Sequence, residues 1–159
     1  MYKFLIFIVM CSFSGNEISS KYTYHYEYYT NGSLKAEGWK SGDQKMRFWY
    51  FYHPNGKVSM EGHYLHNKKK GYWYFYSLNG KVIKEGHFIN NKAEKWWIIY
   101  DIAPSITRKY QYKNNKKEGF CLVYKNNKLF KAERYINNNK TGEWTDITSF
   151  KKDNPNASL

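Results

Sequence analysis

Residues 71–88 read GYWYFYSLNGKVIKEGHF. Five consecutive aromatics, Tyr72–Tyr76, give way to Asn79-Gly80 and then to KVIKEGHFI (81–89), which alternates β-branched or aromatic residues with polar ones. Both segments carry the marks of strands. Asn-Gly between them is a strong hairpin signal, read here as a two-residue turn in which both residues take positive φ. NNKAE after Ile89 is read as a longer polar turn that returns the chain to another aromatic strand. A period of two places Trp73 with Phe75, and Val82 with Gly86 and Phe88. Glycine weakens a strand unless a large neighbour needs the space, so each Trp is expected to lie over the Gly of an adjoining strand.

The stretch recurs. Asn-Gly has its glycine at Gly32, Gly56 and Gly80, giving steps of 56−32 = 24 and 80−56 = 24. Glu37/Glu61/Glu85, Gly38/Gly62/Gly86, Trp49/Trp73/Trp97 and Tyr52/Tyr76/Tyr100 keep that step. In a fourth, degenerate copy DIAPSITRKY replaces the turn, Cys121 stands in the Trp column and Tyr110 in the Gly column. A fifth copy returns one residue short, with Gly142 and Trp144 lying 71 residues after Gly71 and Trp73. KYTYHYEYY (21–29) reads as the second half of a preceding unit. The leading half unit and the units that follow it, the fourth of them degenerate, occupy residues 21–147, and residues 148–159 form a cap and tail. Self-similarity at this period identifies a repeat architecture. The expected fold is all-β, an elongated, twisted, single-layer antiparallel meander of hairpins with no helix of useful length.

Composition agrees with a thin fold. The chain has 159 residues, 21% of them aromatic, and a formal net charge of +13 from 26 basic and 13 acidic residues. Disordered chains are poor in aromatics, whereas Tyr, Phe and Trp bury large areas while tolerating one wet edge. Ahead of the repeats, Met1-Tyr2-Lys3 precedes the apolar run FLIFIVMCSF (4–13). That run is too short to span a bilayer and reads as a signal peptide over residues 1–15. The expected location is therefore the periplasm, envelope or exterior. Met10 stands where a lipobox wants a small residue, so lipidation at Cys11 is not expected. With Cys11 removed, Cys121 is the single remaining thiol.

The pattern G-x-W-x-x-Y…N-G-x-V…E-G-x-aromatic, carried by residues 71–88 and the neighbouring copies, resembles the MORN repeat in its bacterial variant. The resemblance covers most of residues 28–147. It implies an elongated single-layer hairpin sheet, scaffold or membrane-junction roles, and among bacterial members antitoxins of toxin–antitoxin pairs. It brings no catalytic residue.

Glu61-Gly62-His63 and Glu85-Gly86-His87 look at first like acid–base or metal signatures. Their repetition argues otherwise, because catalysis needs distinct groups at one point. His63 and His87 stand about 9.6 Å apart, twice the interstrand spacing, too far for two ligands each about 2 Å from one zinc. No catalytic residue, metal or cofactor is expected, and the Glu column is expected to make cross-strand contacts. Two surfaces are expected to bind. The first is an aromatic face of Trp49, Phe51, Tyr64, Trp73, Phe75, Phe88 and Trp97, suited to another protein. The second is a basic edge of Lys68, Lys69, Lys70, Lys92, Lys116, Lys117 and Lys140, suited to an anionic membrane surface or polyanion. Export makes nucleic acid an unsuitable partner.

Overall fold

The computed structural model describes residues 21–101 and 105–157. Residues 1–15, read above as a signal peptide, Cys11 and the turn at Pro104 lie outside these residues. Eleven strands follow one another: β1 (Thr23–Tyr28), β2 (Leu34–Ser41), β3 (Gln44–Tyr52), β4 (Val58–Leu65), β5 (Lys68–Tyr76) and β6 (Val82–Ile89). They continue as β7 (Lys92–Tyr100), β8 (Ile106–Lys113), β9 (Lys116–Lys125), β10 (Lys128–Ile136) and β11 (Asn139–Trp144). Each pairs antiparallel with the next in one open sheet ordered β1 to β11, the expected meander.

Every Trp of the repeat sits over a glycine. Trp49 faces Gly38, Trp73 faces Gly62 and Trp97 faces Gly86 across the ladder. A Cβ on any of these glycines would fall inside the indole ring. The ladder then skips. Gly62 pairs with Trp73 but His63 pairs with Lys70, so Gly71 and Tyr72 stand outside the ladder to β4. The same bulge recurs in β3 and β7. It takes the His63 carbonyl out of the ladder, and the Trp73 indole N–H donates to it at 3.2 Å. Trp49 and Trp97 donate to the carbonyls of Trp39 (2.9 Å) and His87 (3.1 Å). Where Cys121 replaces Trp, Tyr110 from the Gly column packs against it, and at the bulge the Gln111 side chain accepts the Phe120 N–H at 2.6 Å.

The bulge column has positive φ throughout: Arg47 at 57°, Gly71 at 74°, Lys95 at 62° and Gly119 at 107°. A residue with a Cβ is strained there. Lys95→Gly is expected to stabilise the fold by about 0.5–1 kcal/mol, net of glycine's greater unfolded-state freedom. The urea midpoint should rise with an unchanged slope.

The two kinds of turn exchange the roles expected of them. At the Asn-Gly turns only the glycines have positive φ, with Gly32 at 82°, Gly56 at 80° and Gly80 at 85°. These are three-residue loops closed by paired bonds, His53 N–H to Lys57 O (2.8 Å) and Gly56 N–H to His53 O (2.9 Å) in one of them. Asn55 serves through its side chain, accepting the Lys57 N–H at 3.1 Å. Two-residue turns with positive φ at both positions line the opposite edge, at His66-Asn67, Asn90-Asn91, Asn114-Asn115 and Asn137-Asn138, and one more, Asn126-Asn127, stands on the Asn-Gly edge. Asparagine tolerates this conformation better than other non-glycine residues. These turns also dock on the preceding hairpin. Asn91 donates its N–H to Lys69 O (3.1 Å), and its side chain accepts the Lys69 N–H (2.6 Å). Asn67, Asn115 and Asn138 do the same with Lys45, Ala93 and Lys117.

Asn91→Ala should cost about 2–3 kcal/mol, the sum of a lost hydrogen bond and a Cβ in the left-handed region without asparagine's local compensation. Asn91→Gly should cost only about 1 kcal/mol. Equal losses in chemical denaturation would contradict the docking role.

The one-residue shortening of the fifth copy has a large consequence. Strand side chains alternate faces, so a one-residue slip moves them to the other side. A bulge between Leu129 and Lys131 sets Glu133 opposite Cys121. Trp144, in step with the core tryptophans by sequence, thus points to the opposite face. There it meets a short helix, α1 (Ile147–Asp153), which builds the cap expected after the repeats. Asp146 caps it, accepting the Ser149 N–H at 2.8 Å. Phe150 is 4% exposed and packs on Leu122 and Ala132 with Phe120 and Trp144.

Candidate binding surface

Alternation and pairing define two faces. The indole face carries Trp49, Trp73 and Trp97 with Phe51, Phe75, Tyr64 and Phe88 packed around them. Trp73 contacts Phe75 at 6.4 Å, Tyr64 at 5.1 Å and Phe88 at 6.0 Å between ring centroids. Trp49 and Trp73 are fully buried and Trp97 is 5% exposed. These three rings offer nothing for a partner to touch, which corrects their expected role as contact residues. Phe51, Tyr64, Phe75 and Phe88 are half-buried in the same stack. Twist and close stacking of rings turn one face of a single-layer sheet into its core.

Lysines help to close that core. Lys45 Nζ lies 3.6 Å above the Trp49 ring and forms an ion pair with Glu27 at 2.6 Å. Lys69 Nζ lies 4.6 Å from Trp73, and Lys117 Nζ lies 3.9 Å from Tyr110. Burial and the nearby Lys84 push the Lys69 pKa down. Lys69 and Lys117 therefore belong to the aromatic stack and not to the basic edge where the sequence places them. Lys140 is engaged as well, pairing with Glu143 at 2.7 Å. Lys68, Lys70, Lys92 and Lys116 remain exposed. Lys92 and Lys116 each reach the next turn, bonding Asn114 and Asn137 side chains at 3.1 Å.

The opposite, tyrosine face is the open one. A column missed in the sequence, Tyr24/Phe48/Tyr72/Trp96, runs across it one residue ahead of the Trp column and at the same step. Tyr72 meets His87 at 4.8 Å and Phe48 meets His63 at 4.9 Å, both edge to face. The histidines that opened the catalytic question are thus ring partners. Beside them, Tyr52 and Tyr76 hydroxyls donate to Glu37 and Glu61, each at 2.5 Å, and Tyr100 to Glu85 at 2.6 Å. These are the expected cross-strand contacts of the Glu column. Tyr24, Tyr26 and Tyr74 are 39%, 50% and 37% exposed. Lys68 and Lys70 lie opposite Leu65 and His63, Lys92 opposite Ile89 and Lys116 opposite Lys113, all on this face. From Trp96 on the face closes: Trp96 and Phe120 pack against the Leu122, Ala132 and Phe150 cluster, with the Phe120 and Phe150 ring centroids 5.4 Å apart.

The phenols of this framework titrate late. Burial first, and then Glu85, push Tyr72 and Tyr100 up to about 12; burial does the same to Tyr64. A phenol held protonated in the fold contributes stability that is full below its unfolded pKa near 10 and is lost as pH rises towards 12. The melting temperature should fall across pH 10–12, with phenolate absorbance appearing late. Phenolate appearing at pH 10 without loss of stability would contradict these contacts.

Cys121 is buried, and desolvation, with Glu133 next, pushes its thiol up to about 12, a poor nucleophile. Among the described residues no group of three or more His, Cys, Asp or Glu is arranged to hold a metal ion, and no helix is long and apolar enough to cross a membrane. No protein-family model matches the chain, and no curated protein matches it in sequence.

Proposed function

We propose that the chain is a non-catalytic repeat scaffold that holds an acidic macromolecular partner against its tyrosine face. The observation that carries this reading is the placement of exposed tyrosines, Tyr24, Tyr26 and Tyr74, on the same face as the exposed Lys68, Lys70, Lys92 and Lys116. Most carboxylates are engaged internally: Glu37, Glu61 and Glu85 by tyrosine hydroxyls, Glu94 and Glu118 by the turn amides of Asn114 and Asn137. Ion pairs among the described residues engage Lys45, Arg108, Lys131 and Lys140 only. Most of the +13 charge therefore faces solvent, where it steers and retains anions. Rigid aromatics beside it add contact area at low entropic cost. The resemblance to MORN-variant repeats and the export expected from the apolar run at residues 4–13 support the same reading, with an envelope surface or an acidic protein as the setting.

The test is binding to anionic vesicles, an acidic protein and soluble acidic polymers over a range of salt. Affinity should fall steeply with ionic strength. Reversal of Lys68, Lys70, Lys92 and Lys116 to Glu should abolish it, while Lys69→Glu should act chiefly on stability. Binding indifferent to both salt and the fourfold reversal would overturn the proposal.

A further inference from the structure

The two end strands of the sheet are not alike. β11 carries Lys140 and Glu143, an ion pair at 2.7 Å, and charges of this kind keep an edge from pairing. The helix α1 also packs on it, with Phe150 against Trp144. β1 reads TYHYEY, without proline or lysine. Among the described residues no strand lies on its outer side. Backbone hydrogen-bonding groups of an antiparallel strand alternate between its two sides. The Tyr29 N–H turns towards β2, donating to Ser33 O at 2.8 Å, so Tyr24, Tyr26 and Tyr28 turn their N–H and C=O groups outward. Their side chains share the tyrosine face and are 39%, 50% and 60% exposed. One hairpin further in, where strands flank both sides, Phe48, Tyr50 and Tyr52 are half-buried. β1 is thus a repeat strand short of one neighbour.

The edge is complementary to itself. A two-fold axis perpendicular to the sheet runs two copies of β1 antiparallel and keeps each face on its own side. Residues directly opposite in such a ladder share a face, so the axis must pass through a residue. Placed on Tyr26, it sets Tyr26 against its own copy, Tyr24 against Tyr28 and His25 against Glu27. Every exposed tyrosine of β1 gains a ring neighbour, the imidazole meets a carboxylate twice, and the outward backbone groups bond one another. Placed on His25, it sets the two histidines against each other and leaves Glu27 opposite Thr23.

We infer that β1 pairs with β1 of a second copy about an axis at Tyr26, joining two eleven-stranded sheets into one. The two tyrosine faces then lie side by side on one surface. A single receptive edge used by both copies closes the assembly at two, whereas two receptive edges would build a fibre. The inference goes beyond the acidic-partner reading and stands apart from it.

Sedimentation of the intact protein from micromolar to near-millimolar concentration tests this. The formal charge of +13 on each chain opposes approach, so physiological salt is used, which screens charges more than about 8 Å apart. The mass should double over the range. Tyr26→Pro removes an N–H that points away from β2, a place where an edge strand tolerates proline. Tyr26→Lys sets two cations face to face at the axis. Both variants should stay monomeric at every concentration, with unchanged circular dichroism. His25→Lys, facing the second copy's Glu27, should tighten association roughly fivefold through two opposite-charge pairs. Amide exchange at Tyr24, Tyr26 and Tyr28 should slow as concentration rises.

A wild-type monomer throughout would overturn the inference, as would a dimer that both Tyr26 variants leave intact. Weaker association of His25→Lys would overturn the Tyr26 register. Protection of the three amides at every concentration would show the edge covered within one chain, and would overturn the pairing. Binding of acidic polymers to the Tyr26 variants is measured separately, so loss of the dimer and loss of the acidic partner remain distinguishable.

Discussion

Trp73→Ala is expected to cost about 3–5 kcal/mol, the largest loss for any single side chain in the repeat region. The ring is fully buried between Phe51, Tyr64, Phe75 and Phe88. Its removal also leaves the His63 carbonyl, held out of the ladder by the bulge, without the indole N–H. The partner position gives a sharper test. Gly62→Ala places a methyl inside the Trp73 ring and should cost about 1–3 kcal/mol or more as overpacking. In the Trp73→Ala background the same methyl enters an empty space, and its cost should vanish. Chemical denaturation of the four proteins measures the coupling; additive losses would show that Gly and Trp recur for separate reasons.

Phe150→Ala should cost about 3 kcal/mol or more, and its effect should be local. The helix it anchors has seven residues, Ile147–Asp153, too few to persist alone. Its other ties to the sheet include the Trp144 indole N–H to Asp153 at 2.8 Å. Without Phe150 the helix should detach and expose Leu122 and Phe120. Repeat proteins interact mainly with nearest neighbours, so damage at one end need not reach the other. Hydrogen exchange should rise in β9–β11 and remain slow in β3–β6. Uniform loss of protection along the sheet would contradict this modular picture.

The meander, the Trp-over-Gly contact and a cross-strand role for the Glu column were legible from spacing alone, because each is a column repeated at one step, whereas the tyrosine hydroxyl as the partner of that column was not. Identical surroundings force identical residues, and Gly38/Gly62/Gly86 with Trp49/Trp73/Trp97 report one contact three times. Turn chemistry was less legible. Asn79-Gly80 is compatible with both a two-residue turn and a three-residue loop closed by a bulge, and the asparagines that dock, such as Asn91, look like ordinary polar loop residues. The choice of face failed for a physical reason. Amphipathic reasoning places large aromatics at a contact surface or in a core, and in a single-layer sheet both are available. Trp97 and Trp96 are adjacent and equally aromatic, but the bulge and Gly86 draw the first into the stack and leave the second on the tyrosine face. The column Tyr24/Phe48/Tyr72/Trp96 was visible at the same step and varies in residue type, as an aromatic surface row tolerates and a ring fitted over glycine does not. The helix rests on a short signal, Asp146 capping Ser149, which is below the length at which periodicity speaks.

Nuclear magnetic resonance of the intact protein during titration with a soluble acidic polymer tests the central claim most directly, because the two faces carry separate reporters. Ring signals of Tyr24, Tyr26 and Tyr74 and the backbone amides of Lys68, Lys92 and Lys116 should shift together. The indole N–H signals of Trp49, Trp73 and Trp97, hydrogen-bonded to backbone carbonyls beneath the stack, should stay in place. Shifts concentrated on those three indoles, with the tyrosine face unmoved, would contradict the assignment of core and binding surface.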